Sequence, residues 1–278
     1  GSSGLGNTTQ FSTPQLSTTT GVIDTISMGS YDGSEYRKYT IILKSDGTVW
    51  GAGDNAHGQL GNGTSCPTGT CNSLFFTQAI GISNITKIYT SEVNHNQTVD
   101  NGGGFTAAVD ANGFLYMVGN NSYGQLGNGG TANSVTNFFQ PTGAFQGKVA
   151  KVVLAGASDS AYAQAETYIL TTDGEVYAAG SNGNGQLGVG DTSQKTTFTK
   201  VVRNTDGAKV VDIHAVGRHN AQQVGVIITL DNGSMMAAGH NLNGQLGVET
   251  GAIDNVYSAF KYVVGFEPGS KGNTITGS

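Results

Sequence analysis

Five histidines, two cysteines and 19 carboxylates are the side chains best equipped for chemistry among the 278 residues. The histidines are His57, His95, His214, His219 and His240. A zinc protease needs two histidines one helical turn apart beside a glutamate, and no His-Glu-x-x-His occurs. His214 and His219 fall on a predicted strand and the loop after it, where a spacing of five does not put them on one face. No Gly-x-Ser-x-Gly elbow is present. Asn101-Gly102-Gly103-Gly104 does not follow a strand and open a helix, which a phosphate cradle requires. Asp231-Asn232-Gly233 resembles a piece of a calcium loop but occupies the turn of a repeat. Carboxylate pairs of the glycosidase type are defined by distance in space rather than by sequence. The expectation is a protein that is not an enzyme, with no cofactor and no metal.

Cys66 and Cys71 flank Pro-Thr-Gly-Thr, a turn sequence that could bring the two sulfurs together. The pair has two readings: a local disulfide, which implies an oxidising compartment, and two free surface thiols. A zinc site lacks a second pair of ligands at suitable spacing. Asn-x-Ser/Thr triplets at Asn7, Asn62, Asn84, Asn96, Asn120 and Asn232 matter only in a glycosylating host.

The elements that must carry these residues are set by repetition. One phrase, Gly-x-Asn-x-x-Gly-Gln-Leu-Gly, occurs at 53–61, 119–127, 180–188 and 239–247. Its invariant ends are Gly58-Gln59-Leu60-Gly61, Gly124-Gln125-Leu126-Gly127, Gly185-Gln186-Leu187-Gly188 and Gly244-Gln245-Leu246-Gly247. Upstream of each stands Asp46-Gly47, Asn112-Gly113, Asp173-Gly174 or Asn232-Gly233 between apolar runs. That is a hairpin signal, resting on a two-residue turn with both central residues at positive φ. An apolar strand precedes each hairpin, at 22–28, 82–89, 149–154 and 210–216, and a Phe-marked strand follows each Gln-Leu-Gly. In chain order these are strands A, B, C and D. Four short antiparallel strands repeated in a ring make propeller blades. The fold expected is therefore all-β, with about four full four-stranded blades and partial repeats at the ends. Four copies of Gln-Leu-Gly read as a scaffold corner, in which glycine permits tight backbone, Leu plugs the seam between blades, and Asn and Gln satisfy backbone groups.

Composition agrees. Glycine numbers 44 and charged residues make up 12%, about half the usual share. Net charge is −6, and no Lys/Arg cluster offers the basic patch that nucleic acid requires. No apolar run is long enough to cross a bilayer as a helix. The opening Gly1-Ser2-Ser3-Gly4 shows no charged n-region or apolar h-region.

The run Asp46-Gly47-Thr-Val-Trp-Gly-Ala-Gly-Asp-Asn-Ala-His-Gly-Gln-Leu-Gly61 and its three counterparts resemble the regulator of chromosome condensation repeat. That resemblance implies a propeller, typically seven-bladed in the family. Members of the family serve as exchange factors for a small GTPase, as a secreted β-lactamase inhibitor, and as bacterial and phage surface proteins. The eukaryotic pattern Gly-x-x-His before strand B is approximated only at Gly217-Arg218-His219. Neither a matching catalytic wedge nor a basic tail is visible, so exchange activity does not carry over.

The boundaries that follow are a partial preceding repeat at 1–21, full repeats at 22–80, 81–146, 147–207 and 208–266, and a flexible tail at 267–278. Leu5-Gly6 followed by Phe11 reads as the close of an earlier copy, which points to a longer array or to ring completion by another chain. Loops A–B and C–D share one rim. Its A–B loops, at 30–38, 91–104, 158–166 and 218–223, are long and unlike one another, as a binding surface on a uniform scaffold would be. Candidate contacts are Tyr31, Glu35, Tyr36, Arg37, Glu92, His95, Tyr162, Arg218 and His219, rich in the Tyr and Arg that dominate interface energetics. The leading functional expectation is an extracellular structural, adhesion or receptor-binding module, on a virion, tail fibre or microbial surface. The second is a protein-binding regulator such as a secreted enzyme inhibitor or a GTPase exchange factor. The third is a lectin. The partner expected is a protein or a surface glycan, or further copies of the repeat.

Overall fold

The computed structural model describes residue 5 and residues 19–31, 36–65, 72–91, 104–157, 164–205, 207–216, 224–248 and 256–269. Among these the chain forms sixteen strands and no helix. Blade 1 holds β1 (Val22–Tyr31), β2 (Tyr36–Lys44), β3 (Val49–Asp54) and β4 (Asn72–Gln78). Blade 2 holds β5 (Ile85–Thr90), β6 (Phe105–Asp110), β7 (Leu115–Gly119) and β8 (Val135–Phe139). Blade 3 holds β9 (Val149–Ala157), β10 (Gln164–Thr171), β11 (Val176–Gly180) and β12 (Lys195–Lys200). Blade 4 holds β13 (Val210–Val216), β14 (Gly225–Leu230), β15 (Met235–His240) and β16 (Val256–Tyr262). Each blade is one antiparallel sheet with its strands in sequential order. This is the all-β architecture of four-stranded blades expected from the repeat.

The hairpin turn differs from the expected form. Gly47 N–H donates to Lys44 O and Lys44 N–H to Thr48 O, so three residues, not two, span the turn. Gly47, Gly113, Gly174 and Gly233 have positive φ, between 76° and 84°, whereas the Asp or Asn before each does not. This is a type I turn with a bulge glycine. The acid or amide earns its place differently: Asp46 Oδ1 accepts from Thr48 N at 3.0 Å, and Asn232 Oδ1 from Ser234 N at 3.0 Å. Strand ends shift as well. The first A–B connection, expected at 30–38, is shorter, because β1 and β2 stay paired as far as Tyr31 opposite Tyr36. β5 starts at Ile85 rather than at residue 82, and β10 starts at Gln164, so Glu166 belongs to a strand and not to a loop.

Neighbouring blades are joined at both rims by the same pair of backbone bonds. On the turn rim the first residue of each A strand donates to the bulge glycine of the blade before. Ile85 N–H reaches Gly47 O at 3.1 Å, Val149 reaches Gly113 at 3.1 Å and Val210 reaches Gly174 at 3.3 Å. On the other rim a glycine just past each corner donates to the next D strand: Gly63 to Thr136 O at 3.0 Å, Gly129 to Thr196 O at 2.8 Å and Gly190 to Ser258 O at 2.7 Å. Between these stitches lie apolar seams, each built from two blades. Leu60 shares a cluster with Ile85, Ile88, Val118 and Phe138 of blade 2. Leu187 shares one with Val210, Ile213, Val226 and Phe260 of blade 4. In the middle seam Phe145, in the link between β8 and β9, fills space against Phe198, with ring centroids 5.0 Å apart. The burial of the A-strand leader shows what a neighbour contributes. Ile85, Val149 and Val210 are 3%, 5% and 3% exposed, whereas Val22, with no blade described before it, is 40% exposed.

The A strands converge on the axis and the D strands lie outside. A hollow of about 390 Å³ on the axis is lined by residues of all four blades, including Ile26, Tyr89, Lys151, Val153 and His214. Charged side chains tie adjacent A strands around it. Lys87 Nζ donates to Ala150 O at 2.8 Å, and Lys151 Nζ to Asp212 Oδ1 at 2.6 Å. The lysine beside it holds the Asp212 carboxyl down at about 2.

The last glycine of the first three corners meets the D-strand Phe of the following blade. A Cβ on Gly127 would stand 2.4 Å from the Phe198 ring, and φ there is +71°. Gly127→Ala adds left-handed strain of about 1 kcal/mol to overpacking of about 1–3 kcal/mol. Gly129→Ala, where φ is +86° but nothing lies within 4 Å, carries only the backbone cost. In urea denaturation Gly127→Ala is expected to lose clearly more stability than Gly129→Ala, and equal losses would contradict the seam contact.

Candidate functional site

The Gln-Leu-Gly corner joins strands C and D on the rim that also carries the A–B connections. Its backbone has no ladder to pair with and is nonetheless buried, so its polar groups must be met locally. The Asn and Gln side chains do this in the same way in each copy. The Asn Oδ1 accepts from the Leu N–H: Asn55 from Leu60 at 3.1 Å, Asn121 from Leu126 at 2.9 Å, Asn182 from Leu187 at 3.0 Å and Asn241 from Leu246 at 2.9 Å. The Gln Oε1 accepts from the backbone N–H two residues earlier, on His57, Tyr123, Asn184 and Asn243, at 2.9–3.0 Å. In the first three copies the Gln is 0% exposed. Leu60, Leu126 and Leu187 seal the seams to the next blade, while Leu246 packs within its own blade beside Ala237 and Val248.

The Gln Nε2 is where the copies diverge. Gln59 donates to Asp54 Oδ2 at 2.8 Å, Gln125 to Asn120 Oδ1 at 2.9 Å and Gln245 to His240 O at 2.7 Å. The third corner has Ser181 at that position, and Gln186 turns instead to Glu166 Oε1, at 2.9 Å. Glu166 is 3% exposed, and burial pushes its carboxyl up to about 8 against the hydrogen bond from Gln186. The one sign of this in the sequence is the absence of Asp or Asn at position 181, where corners 1 and 2 have their side-chain acceptor.

The histidines and cysteines divide similarly. His57 is buried at the seam of blades 1 and 2, with Nδ1 3.0 Å from Asn133 O and 3.2 Å from Asn120 Nδ2. His214 lies at the axial hollow with Nε2 2.9 Å from Asp212 Oδ2. Asn120, an Asn-x-Ser site, is wholly buried and out of reach of a glycan. Among the described residues no three His, Cys, Asp or Glu side chains gather as a metal site.

Of the candidate rim contacts, Tyr31 ends β1, Tyr36 opens β2 and Arg37 follows it, so these three sit on a paired hairpin rather than in an open loop. Glu35, Glu92, His95, Tyr162, Arg218 and His219 lie outside the described residues, as do Cys66 and Cys71. The strand ends carry the remaining A–B connections to the same rim as the corners: Thr90 and Phe105, Ala157 and Gln164, Val216 and Gly225.

The regulator of chromosome condensation repeat family matches residues 173–221 and, through a second form of the repeat, residues 37–59. The X-linked retinitis pigmentosa GTPase regulator of Canis lupus familiaris is 34% identical over 160 residues, which is 58% of this chain and 14% of that protein. The ultraviolet-B receptor UVR8 of Arabidopsis thaliana is 26% identical over 211 residues, 76% of this chain and 41% of the receptor. The chain thus spans less than half the length of these relatives. Two solved structures share its fold. Yeast RCC1 (Prp20) in its complex with Kap60 gives a TM-score of 0.58 at 15% identity, covering 90% of this chain and 50% of that one. Prp20p from Saccharomyces cerevisiae, studied for its binding to Gsp1p and histones, gives 0.57 at 16%, covering 90% and 52%.

Because each corner glutamine accepts from a backbone amide of its own loop, removing it is expected to be costly where burial is complete. Gln125→Ala should lose about 1–3 kcal/mol in chemical denaturation, and Gln245→Ala, at the partly exposed fourth corner, distinctly less. A larger loss at Gln245 would contradict this assignment of roles. The same corner recurs in all four blades, and residues 37–59 and 173–221 carry repeats of the regulator of chromosome condensation family.

Proposed function

We propose that this chain is a protein-binding module of the regulator type, engaging its partner through the rim that carries the A–B connections and the corners. One observation carries the reading: the corners use their polar groups on themselves and on adjacent blades, so the scaffold is self-contained and the connections that rise from the same rim are free to vary. A uniform frame with one irregular rim suits recognition of a folded partner. The relatives support a protein as that partner. They include a GTPase regulator and a receptor, and the similar solved propeller is described with Kap60, Gsp1p and histones.

This reading ranks above the adhesion or virion role that composition alone had favoured, and above a glycan partner, because the named relatives are regulators and a receptor. Binding rather than catalysis is the proposed activity. Exchange on a small GTPase is the more specific form of the reading, and it calls for direct assay with purified GTPase and labelled nucleotide.

The test is a paired capture experiment. Residues 92–103 and 158–163 are replaced together by short Gly/Ser connections, and the wild type and variant are compared as baits by quantitative mass spectrometry. A protein held at about one to one by the wild type and lost from the variant is the expected outcome, with the thermal midpoint changed little. Unchanged capture, or loss only when the Asp46 and Asp173 turns on the opposite rim are replaced, would overturn it.

A further inference from the structure

The third corner departs from the first where that corner reaches for the next blade. In corner 1 the Gln59 carbonyl accepts from Thr106 Oγ1 of blade 2 at 2.8 Å. The residue of blade 4 in register with Thr106 is Val226, which has no hydroxyl. The Gln186 carbonyl accepts instead from Tyr168 Oη of its own blade, at 2.9 Å. The C-strand acceptor is replaced too. Ser181 takes the place of Asp54 and Asn120, whose side chains accept from the glutamine in corners 1 and 2; its Oγ accepts from Ala165 N at 3.2 Å, and Gln186 Nε2 turns to Glu166. Glu166 stands opposite Gly180, the register position that Tyr39, Phe105 and Gly225 occupy in the other blades. Three changes therefore compensate one another, and all of them tie the corner to β10.

We propose that the third corner is a proton-held latch: Glu166 rests against Gln186 as the neutral acid, so the corner and the adjoining strand end that bears Gln164 are tightest in acid and loosen as the pH rises through neutrality. Gln164 is part of the same latch, since Gln186 Nε2 also donates to its Oε1, at 2.9 Å. Among the described residues, the groups facing Glu166 carry no opposite charge. Its register partners are Ala155 on β9 and Gly180 on β11, and the corner contributes Ser181, Asn182 and Gln186, all neutral. Tyr168, two residues along, is the titratable neighbour, and burial together with Glu166 raises its phenol well above the ordinary range. The hydrogen bond from Gln186 favours the carboxylate, but burial outweighs it.

The sign follows from linkage. The carboxyl titrates at about 8 when the corner is closed and near its ordinary value of 4.5 when the corner opens into water. The latch is at full strength below 4.5. It weakens by up to about tenfold per pH unit as pH rises through that window, and levels off above 8.

Amide hydrogen exchange read by mass spectrometry between pH 5 and 9, corrected for intrinsic rates, tests this without any partner for the rim. The reporters are the Asn184 and Leu187 amides, held by Gln186 and Asn182, with the Tyr123 and Leu126 amides of corner 2 as internal reference. Protection at the third corner is expected to fall several-fold or more per pH unit up to pH 8 while the second stays level, and Glu166→Gln should abolish the fall. If Glu166→Gln does not fold, the double variant Glu166→Phe/Ser181→Asn, which installs the pair found in corner 2, serves the same end. A level third corner in the wild type, or a fall that survives in either variant, would overturn the latch.

Discussion

A loop can be buried between two sheets only if its backbone amides find partners close at hand, and the rest of this structure depends on how that demand is met. An unpaired buried amide costs about 1–3 kcal/mol, which four open corners would impose several times over on a chain whose whole stability is small. The Asn and Gln of the repeat remove the cost by folding back on their own loop. Once satisfied, the loop can be packed against, and in the first three copies the Leu after the Gln seals the seam to the next blade. Without this internal pairing the blades would have to keep their corners in water and could not approach closely enough for the two rims to be stitched.

The stitching explains why so few charges suffice. Each seam has a backbone bond at the turn rim and another at the corner rim, joined in the last seam by Phe260 N–H to Val202 O, with an apolar filling between them. These contacts need glycine where backbones meet and branched apolar residues where sheets meet, but not ion pairs. The pairs present are mostly at the surface, where each contributes little. The Lys151–Asp212 contact bridges two innermost strands beside the axial hollow, where side chains from neighbouring blades meet. A frame of this kind tolerates varied connections on one rim because its cohesion does not pass through them, and that is the physical basis for reading the rim as the place of recognition.

The order of strands, the number of blades and the sites of the corners were legible in the sequence, because each is dictated by local chemistry: glycine where φ is positive, alternating apolar residues in strands, and a phrase too regular to be accidental. The turn type was misjudged for a physical reason. Asp-Gly suits both a two-residue turn and a three-residue turn with a bulge, and only the hydrogen bond from Gly47 to Lys44 distinguishes them. The first A–B connection was drawn too long because Tyr31 and Tyr36 carry no turn signal and pairing simply continues through them. Phe145 was passed over because nothing in a link sequence tells that its ring will fill a gap between two blades.

By itself the sequence determined the repeating unit, since a blade is built from contacts within some sixty residues and every one of its turns is written in glycine, asparagine and glutamine. Tertiary structure decided which groups meet across seams. It set the Phe198 ring against Gly127, brought His57 to Asn133 and Asn120 of the next blade, and closed Lys151 on Asp212. It also decided the state of Glu166. Position along the chain suggests a carboxylate in a loop, whereas enclosure by Ala155, Gly180 and the Gln186 amide makes it a buried acid. Burial and cross-blade distance depend on how the blades stack, and no local rule of sequence contains them.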